Sequence, residues 1–171
     1  MNLNKLTPFP EWENERYDHE EGEEWKSQLK NSVAKNLYNQ WLQVYMLLEA
    51  LCDGLRPTTG NEDYGDGIPV SESYLAHLKE SMLGESAIIP AKISGAEAGD
   101  LYVLRMENAA IIRKAANDVY IQCSSFRMMG VASNEELDAV RAEINIFRKY
   151  FKEWVNTFEK DGFEDDWGLF K

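Results

Sequence analysis

The fold is decided by the stretch at residues 133–158, which has the sequence SNEELDAVRAEINIFRKYFKEWVNTF. Large apolar residues recur along it in alternating steps of three and four, which places them on one face of an α-helix. The series consists of Leu137, Val140, Ile144, Phe147, Phe151, Trp154 and Phe158. Ser133 precedes the series and Glu136 follows three residues later, a spacing that predicts a capping box. The stretch therefore predicts a long amphipathic helix that buries one face against other helices.

The same period occurs in the first third of the chain. Apolar residues from Trp25 to Leu51 predict a helix that begins near Glu20 and ends at Gly54, a residue suited to a helix C-cap. Within it, residues 41–48 form an apolar girdle that extends nearly all the way round the helix. A helix of this kind is buried centrally or pairs with another chain.

Two further helices are expected between these segments. Ser71 is the predicted N-cap of the second helix, which Gly84 ends or weakens. Ser94 and Glu97 fit a capping box for the third helix, which Gly130 ends. The inner face of the third helix is expected to carry Leu101, Leu104, Ile111 or Ile112, Ala115, Val119, Cys123 and Phe126.

Together these patterns predict an all-α protein, a four-helix bundle of the up-down type. No segment shows the alternation typical of a strand. The expected organisation is an irregular acidic N-terminal arm at 1–19, a bundle domain at 20–160 and an acidic, aromatic C-terminal tail at 161–171. The short connection at 130–133 makes the last two helices antiparallel neighbours.

The formal net charge of -12 is concentrated at the two ends of the chain. Residues 11–24 hold eight acidic side chains and one Arg, and residues 157–171 hold five acidic side chains and two Lys. Acidic ends repel phosphate backbones, so no nucleic-acid partner is expected, whereas a basic protein partner would suit them. No apolar run approaches the roughly 20 residues of a spanning helix, and the N-terminus lacks a signal-peptide pattern. The sequence thus favours a cytoplasmic protein without membrane contact.

The sequence offers one alternative set of metal ligands. A di-metal centre in a bundle needs inward Glu residues and a Glu-x-x-His pair on one helix face. The chain has two histidines, His19 and His77, and neither has a Glu three residues before it. Glu49, Glu107 and Glu143 lie on three different helices and could converge with His77. A bundle-type enzyme with a carboxylate-bound metal is therefore the alternative hypothesis.

The sequence gives only weak support for a calcium site, a reactive cysteine or a ligand pocket. The loop at 61–72 resembles a calcium loop in part, but Gly65 and Asp66 stand in the reverse of the order that the turn requires. Cys52 and Cys123 lie within helical patterns and have no nearby His, so buried, reduced thiols are expected. No catalytic residue and no cofactor follow from the sequence. A small-molecule binder is a further alternative, with an apolar pocket between helices. That pocket would be lined by Trp41, Tyr45, Met106 or Phe147.

The C-terminal tail is the predicted partner-binding segment. It combines acidic residues with aromatic ones, whereas disordered tails are poor in aromatics. The candidate residues are Asp165, Asp166, Trp167, Leu169 and Phe170. The tail could fold back over the bundle, dock in a basic or groove-bearing protein, or insert into a neighbouring protomer. The leading hypothesis is therefore a non-enzymatic interaction or scaffold protein that forms a homo-oligomer.

Overall fold

A computed structural model describes residues 7–12, 24–59, 69–99, 101–163 and 166–170, with the backbone alone for 24–29. The described part of the chain contains four helices. Their bounds are α1 Glu24–Gly54, α2 Glu72–Glu97, α3 Tyr102–Met129 and α4 Asn134–Val155. The only β-structure in these ranges is a single bridge between Thr58 and Val70. The all-α prediction is confirmed.

The helices pack in a ring, and each is antiparallel to its neighbours. The α1–α2, α2–α3, α3–α4 and α1–α4 pairs are in contact. Lys30 of α1 approaches Glu159, just beyond α4, while Gln40 of α1 donates to Glu143 of α4 at 2.6 Å. Residue numbers therefore rise along α1 as they fall along α4, which is the arrangement of an up-down four-helix bundle. Within the described residues, no helix is both long and apolar enough to cross a membrane.

The apolar girdle at 41–48 is covered within its own chain. Trp41 is fully buried and contacts Phe147 of α4, with 4.7 Å between ring centroids. The N-terminal arm covers the girdle from outside, because Phe9 packs edge-on against Tyr45 at 4.8 Å. Further along the arm, Trp12 is 8% exposed. The girdle therefore needs no second chain to bury it.

Helix α2 does not end at Gly84, one of the two outcomes that the sequence left open. It begins as expected, with the Ser71 side chain accepting a hydrogen bond from the Tyr74 N–H. It then continues through Gly84 and Pro90 to Glu97. Proline at position 90 has no N–H to donate to the carbonyl of residue 86. The Trp41 Nε1–H donates to the Ser86 carbonyl oxygen instead, at 2.8 Å. A side chain from α1 thus replaces the hydrogen bond that Pro90 removes, and the helix persists.

The predicted start of the third helix was also wrong. Ser94 and Glu97 lie in the last turns of α2, so they form no capping box, and α3 begins at Tyr102. The N-cap Leu101 provides no side-chain hydrogen bond. The inner face of α3 is confirmed at Ala115, Val119, Cys123 and Phe126, and at Ile112 for the Ile111 or Ile112 position, but Leu101 and Leu104 are at least 41% exposed. Because α3 begins at Tyr102 and not near Ser94, the predicted inner face was out of register in the first turns of the helix.

The predictions for the α3–α4 turn and the start of α4 are confirmed. Gly130 closes α3 with a φ of 66°, in the left-handed region that favours glycine. The Ser133 side chain accepts from the Glu136 N–H while the Glu136 carboxylate accepts from the Ser133 N–H, which completes the capping box. This turn fixes α3 and α4 as an antiparallel pair.

Candidate functional site

The C-terminal tail is attached to the bundle at its first residue. One oxygen of the Asp161 carboxylate accepts a hydrogen bond from the Tyr102 N–H at 2.7 Å, and the other accepts from the Phe163 N–H at 3.0 Å. Asp161 therefore supplies the acceptor that Leu101 does not provide at the start of α3. The tail leaves the bundle from this point.

Beyond its root, the tail presents apolar side chains to solvent. Trp167 is 88% exposed and Leu169 is 51% exposed. Asp166 is exposed, and Phe170 is partly buried with a φ of 59°. Asp165 lies outside the described residues. Trp167 thus does not cover the bundle of its own chain, and its docking on a partner remains a prediction.

A groove opens on the bundle surface between α3 and α4, the α3–α4 groove. The α3–α4 pair, like the α1–α2 pair, packs less extensively than the α2–α3 and α1–α4 pairs. The space between them has a volume of about 400 Å³. Its apolar lining comes from the small Ala116 on α3 and from Ile144, Phe147 and Phe151 on α4. Ile144 and Phe147 are buried, at 1% and 2% exposure, whereas Phe151 is partly buried, so Phe151 is the large apolar lining residue most open to solvent.

The rim of the α3–α4 groove is basic. Arg113, Lys114 and Arg148 line it. Lys114 pairs with Asp118 at 2.6 Å, whereas Arg113 has no ion-pair or hydrogen-bond partner among the described residues. The Arg148 guanidinium lies 5.3 Å from the Tyr120 ring centroid, where the groove approaches the α3–α4 turn. In a protein of net charge -12, this surface is locally cationic.

A buried ion pair joins the ends of three helices beneath the tail. Arg105 of α3 and Glu97 of α2 are 2.6 Å apart, with side chains 3% and 5% exposed. The Trp154 Nε1–H donates to the same Glu97 oxygen at 2.9 Å, and the Phe158 ring lies 4.3 Å from the Arg105 guanidinium. The sequence pattern predicts Glu97 in a capping box, whereas the structure places it in this ion pair. The clue to Arg105 in the sequence was its regular spacing with Ala109, Ile112 and Ala116.

The structure does not bring the predicted metal ligands together. No three His, Cys, Asp or Glu side chains among the described residues could hold a metal ion jointly. Glu143 instead accepts a hydrogen bond from Gln40, and His77 is exposed on α2. Burial, and then the charge of Asp53, raises the pKa of Glu49. The set of Glu49, Glu107, Glu143 and His77 is thus not a metal centre. The loop residues 61–68 of the partial calcium pattern lie outside the described residues.

Both cysteines are buried free thiols. Burial raises the pKa of Cys52 and of Cys123 from 9.0 to about 11 in each case. Since the thiolate is the nucleophile, these groups are poorly suited to covalent catalysis near neutral pH.

The predicted ligand-pocket residues do not line one shared pocket. Trp41 packs directly against Phe147, and Tyr45 packs against the arm through Phe9. Met106 is partly buried on α3. Phe147 alone of the four lines the α3–α4 groove. Sequence reasoning missed this groove because its floor residues have the same spacing as core residues.

The chain was also compared with known proteins. No family model, no curated protein and no solved structure matches it. The candidate site is therefore defined by geometry and chemistry alone.

Proposed function

We propose that this chain is a non-enzymatic interaction or scaffold protein that self-associates through its C-terminal tail. The observation that carries the proposal is the 88% exposure of Trp167 on a tail anchored by Asp161. An indole has a large apolar surface and gains more from burial than most side chains, so Trp is common among interface residues that dominate binding energy. An exposed Trp on an anchored segment is suited to insertion into a partner.

The charge around Trp167 favours a basic partner surface. Glu164, Asp165 and Asp166 directly precede it in the sequence. Carboxylates beside an aromatic anchor steer the tail towards Lys and Arg and away from phosphate backbones. The proposal therefore retains a protein partner, with a second copy of the chain first, in a cytoplasmic setting.

Oligomeric mass tests this proposal. Trp167→Ala should lower the mass measured by light scattering across a concentration series. Met128→Ala is the matched control, because Met128 is 84% exposed at the end of α3, next to the α3–α4 turn and away from the tail root. An oligomer unaffected by Trp167→Ala would refute a role for the tail in self-association. An equal loss of oligomeric mass in both variants would show that any exposed apolar side chain contributes to self-association, which would also argue against a specific role for the tail.

A further inference from the structure

We propose that the α3–α4 groove is the receptor for the tail of a second copy of the chain, so that two copies exchange tails reciprocally. This inference rests on the proposed function and names the surface that completes it. The tail supplies an acidic segment and exposed apolar side chains. The groove supplies a cationic rim and an apolar floor.

The shape of the groove fits a short aromatic segment. Its volume of about 400 Å³ exceeds that of a single indole and leaves space for Leu169 or Phe170 beside it. Phe151, which is partly buried, offers a ring for an edge or stacked contact with Trp167, whereas Phe147 is buried. Next to the groove, the Tyr120 ring centroid lies 4.2 Å from the Arg141 guanidinium and 5.3 Å from that of Arg148.

The charges of groove and tail are complementary. Arg113 and Arg148 provide the net positive charge of the rim, because Lys114 is largely compensated by Asp118 and by nearby Glu85. The tail brings three consecutive acidic residues at 164–166 just before its Trp. A carboxylate meeting an Arg guanidinium at the edge of an apolar contact gives register and steering. No acidic side chain is among the groove's lining residues in the described part of the chain.

The tail's reach favours a second copy over the tail's own chain. Along α3, Tyr102 and Ala116 are fourteen residues apart, or about 21 Å at 1.5 Å per residue. The six residues from Asp161 to Trp167 span at most about 22 Å when fully extended. Filling its own groove would therefore require a nearly straight tail, whereas two copies related by a twofold axis can each present a tail to the other. Such an exchange closes on itself as a dimer.

A charge-swap experiment on full-length protein tests this receptor. The groove variant Arg113→Glu/Arg148→Glu and the tail variant Asp165→Lys/Asp166→Lys should each fail to self-associate, because groove and tail then carry charge of the same sign. Mixed together, they should form a 1:1 heterodimer, since both tail–groove contacts become complementary again. We expect each variant alone to self-associate at least about tenfold more weakly than wild type, which corresponds to about 1.4 kcal/mol.

The control variant is Lys92→Glu/Lys149→Glu, which changes the net charge by the same amount as the groove variant but lies outside the groove lining. It should retain the wild-type mass. Circular dichroism and thermal unfolding confirm that each variant is folded. Loss of the oligomer in Trp167→Ala but not in the groove variant would overturn the receptor and leave the tail proposal standing. A mixture that stays monomeric, or a wild type that is monomeric at every concentration, would also overturn it. Two results contradict the proposed function itself. One is a wild type that is monomeric at every concentration, and the other is an oligomer whose mass does not change in Trp167→Ala.

Discussion

The hydrogen bond between Trp41 and Ser86 explains how α2 tolerates Pro90, and it can be tested by a double-mutant cycle. Trp41→Phe removes the Nε1–H that donates to the Ser86 carbonyl oxygen at 2.8 Å while keeping an aromatic ring. Pro90→Ala restores a backbone N–H at position 90, which can donate to the same carbonyl within the helix. The two substitutions should therefore be strongly coupled.

The expected magnitudes follow from burial. Ser86 and Trp41 are both fully buried, so the carbonyl loses its partner without access to water. Leaving a buried acceptor unsatisfied costs about 1–3 kcal/mol, and the smaller ring leaves a cavity that adds to this cost. In the Pro90→Ala background only the cavity cost remains. Trp41→Phe should therefore be about 1–3 kcal/mol less destabilising there than in wild type.

The assay is urea unfolding followed by far-ultraviolet circular dichroism for wild type, both single variants and the double variant. This signal does not depend on the tryptophan being replaced. A coupling free energy below about 0.5 kcal/mol, the usual range for independent sites, would refute the reasoning. Pro90 would then be tolerated for some other reason than the bond from Trp41.

Three further predictions concern the rest of the fold. Arg105→Met should lower the free energy of unfolding by about 3–5 kcal/mol because it leaves the buried Glu97 carboxylate without its cation, and Arg105→Met/Glu97→Gln should recover most of the loss in chemical denaturation. Cys52 and Cys123 should resist a thiol reagent until the protein unfolds. Their pKa is raised on folding from 9.0 to about 11, so their contribution to stability is present below pH 9.0 and is lost as the pH rises through about 11. Replacing both by Ala should reduce that alkaline loss. Asp161→Ala should cost about 0.5–2 kcal/mol and speed hydrogen exchange in the first turn of α3; unchanged exchange there would show that the cap is not formed in solution.

The number and type of helices could be predicted from the sequence because amphipathic periodicity and caps are local signals. Gly130 and Ser133 lie at the positions that these signals indicate. The predicted break between the second and third helices failed because Pro90 is a local breaker whose effect is offset by a residue from α1, and because Gly84 does not end the helix. No local pattern at 84–94 contains the contribution of Trp41.

The candidate site was only partly predictable for a related reason. Aromatic and acidic composition singled out the tail as the candidate segment, which stays a prediction, and the structure shows that Trp167 is exposed. The groove depends on the spacing between α3 and α4, where Ala116 faces larger residues across the interface. Its floor and the inner face of the bundle follow the same three–four spacing. Sequence periodicity therefore cannot separate a lining residue such as Phe151 from a packed one.

Native mass spectrometry of the full-length protein, alongside a chain that ends at Gly162, tests the central claim most directly. We predict a full-length oligomer whose mass is a whole multiple of the chain mass, and a lower oligomeric state for the shortened chain. Identical oligomeric states for the two chains would contradict docking through the tail. A full-length mass with an excess matching a metal or an organic ligand would instead support the alternatives of an enzyme or a small-molecule binder.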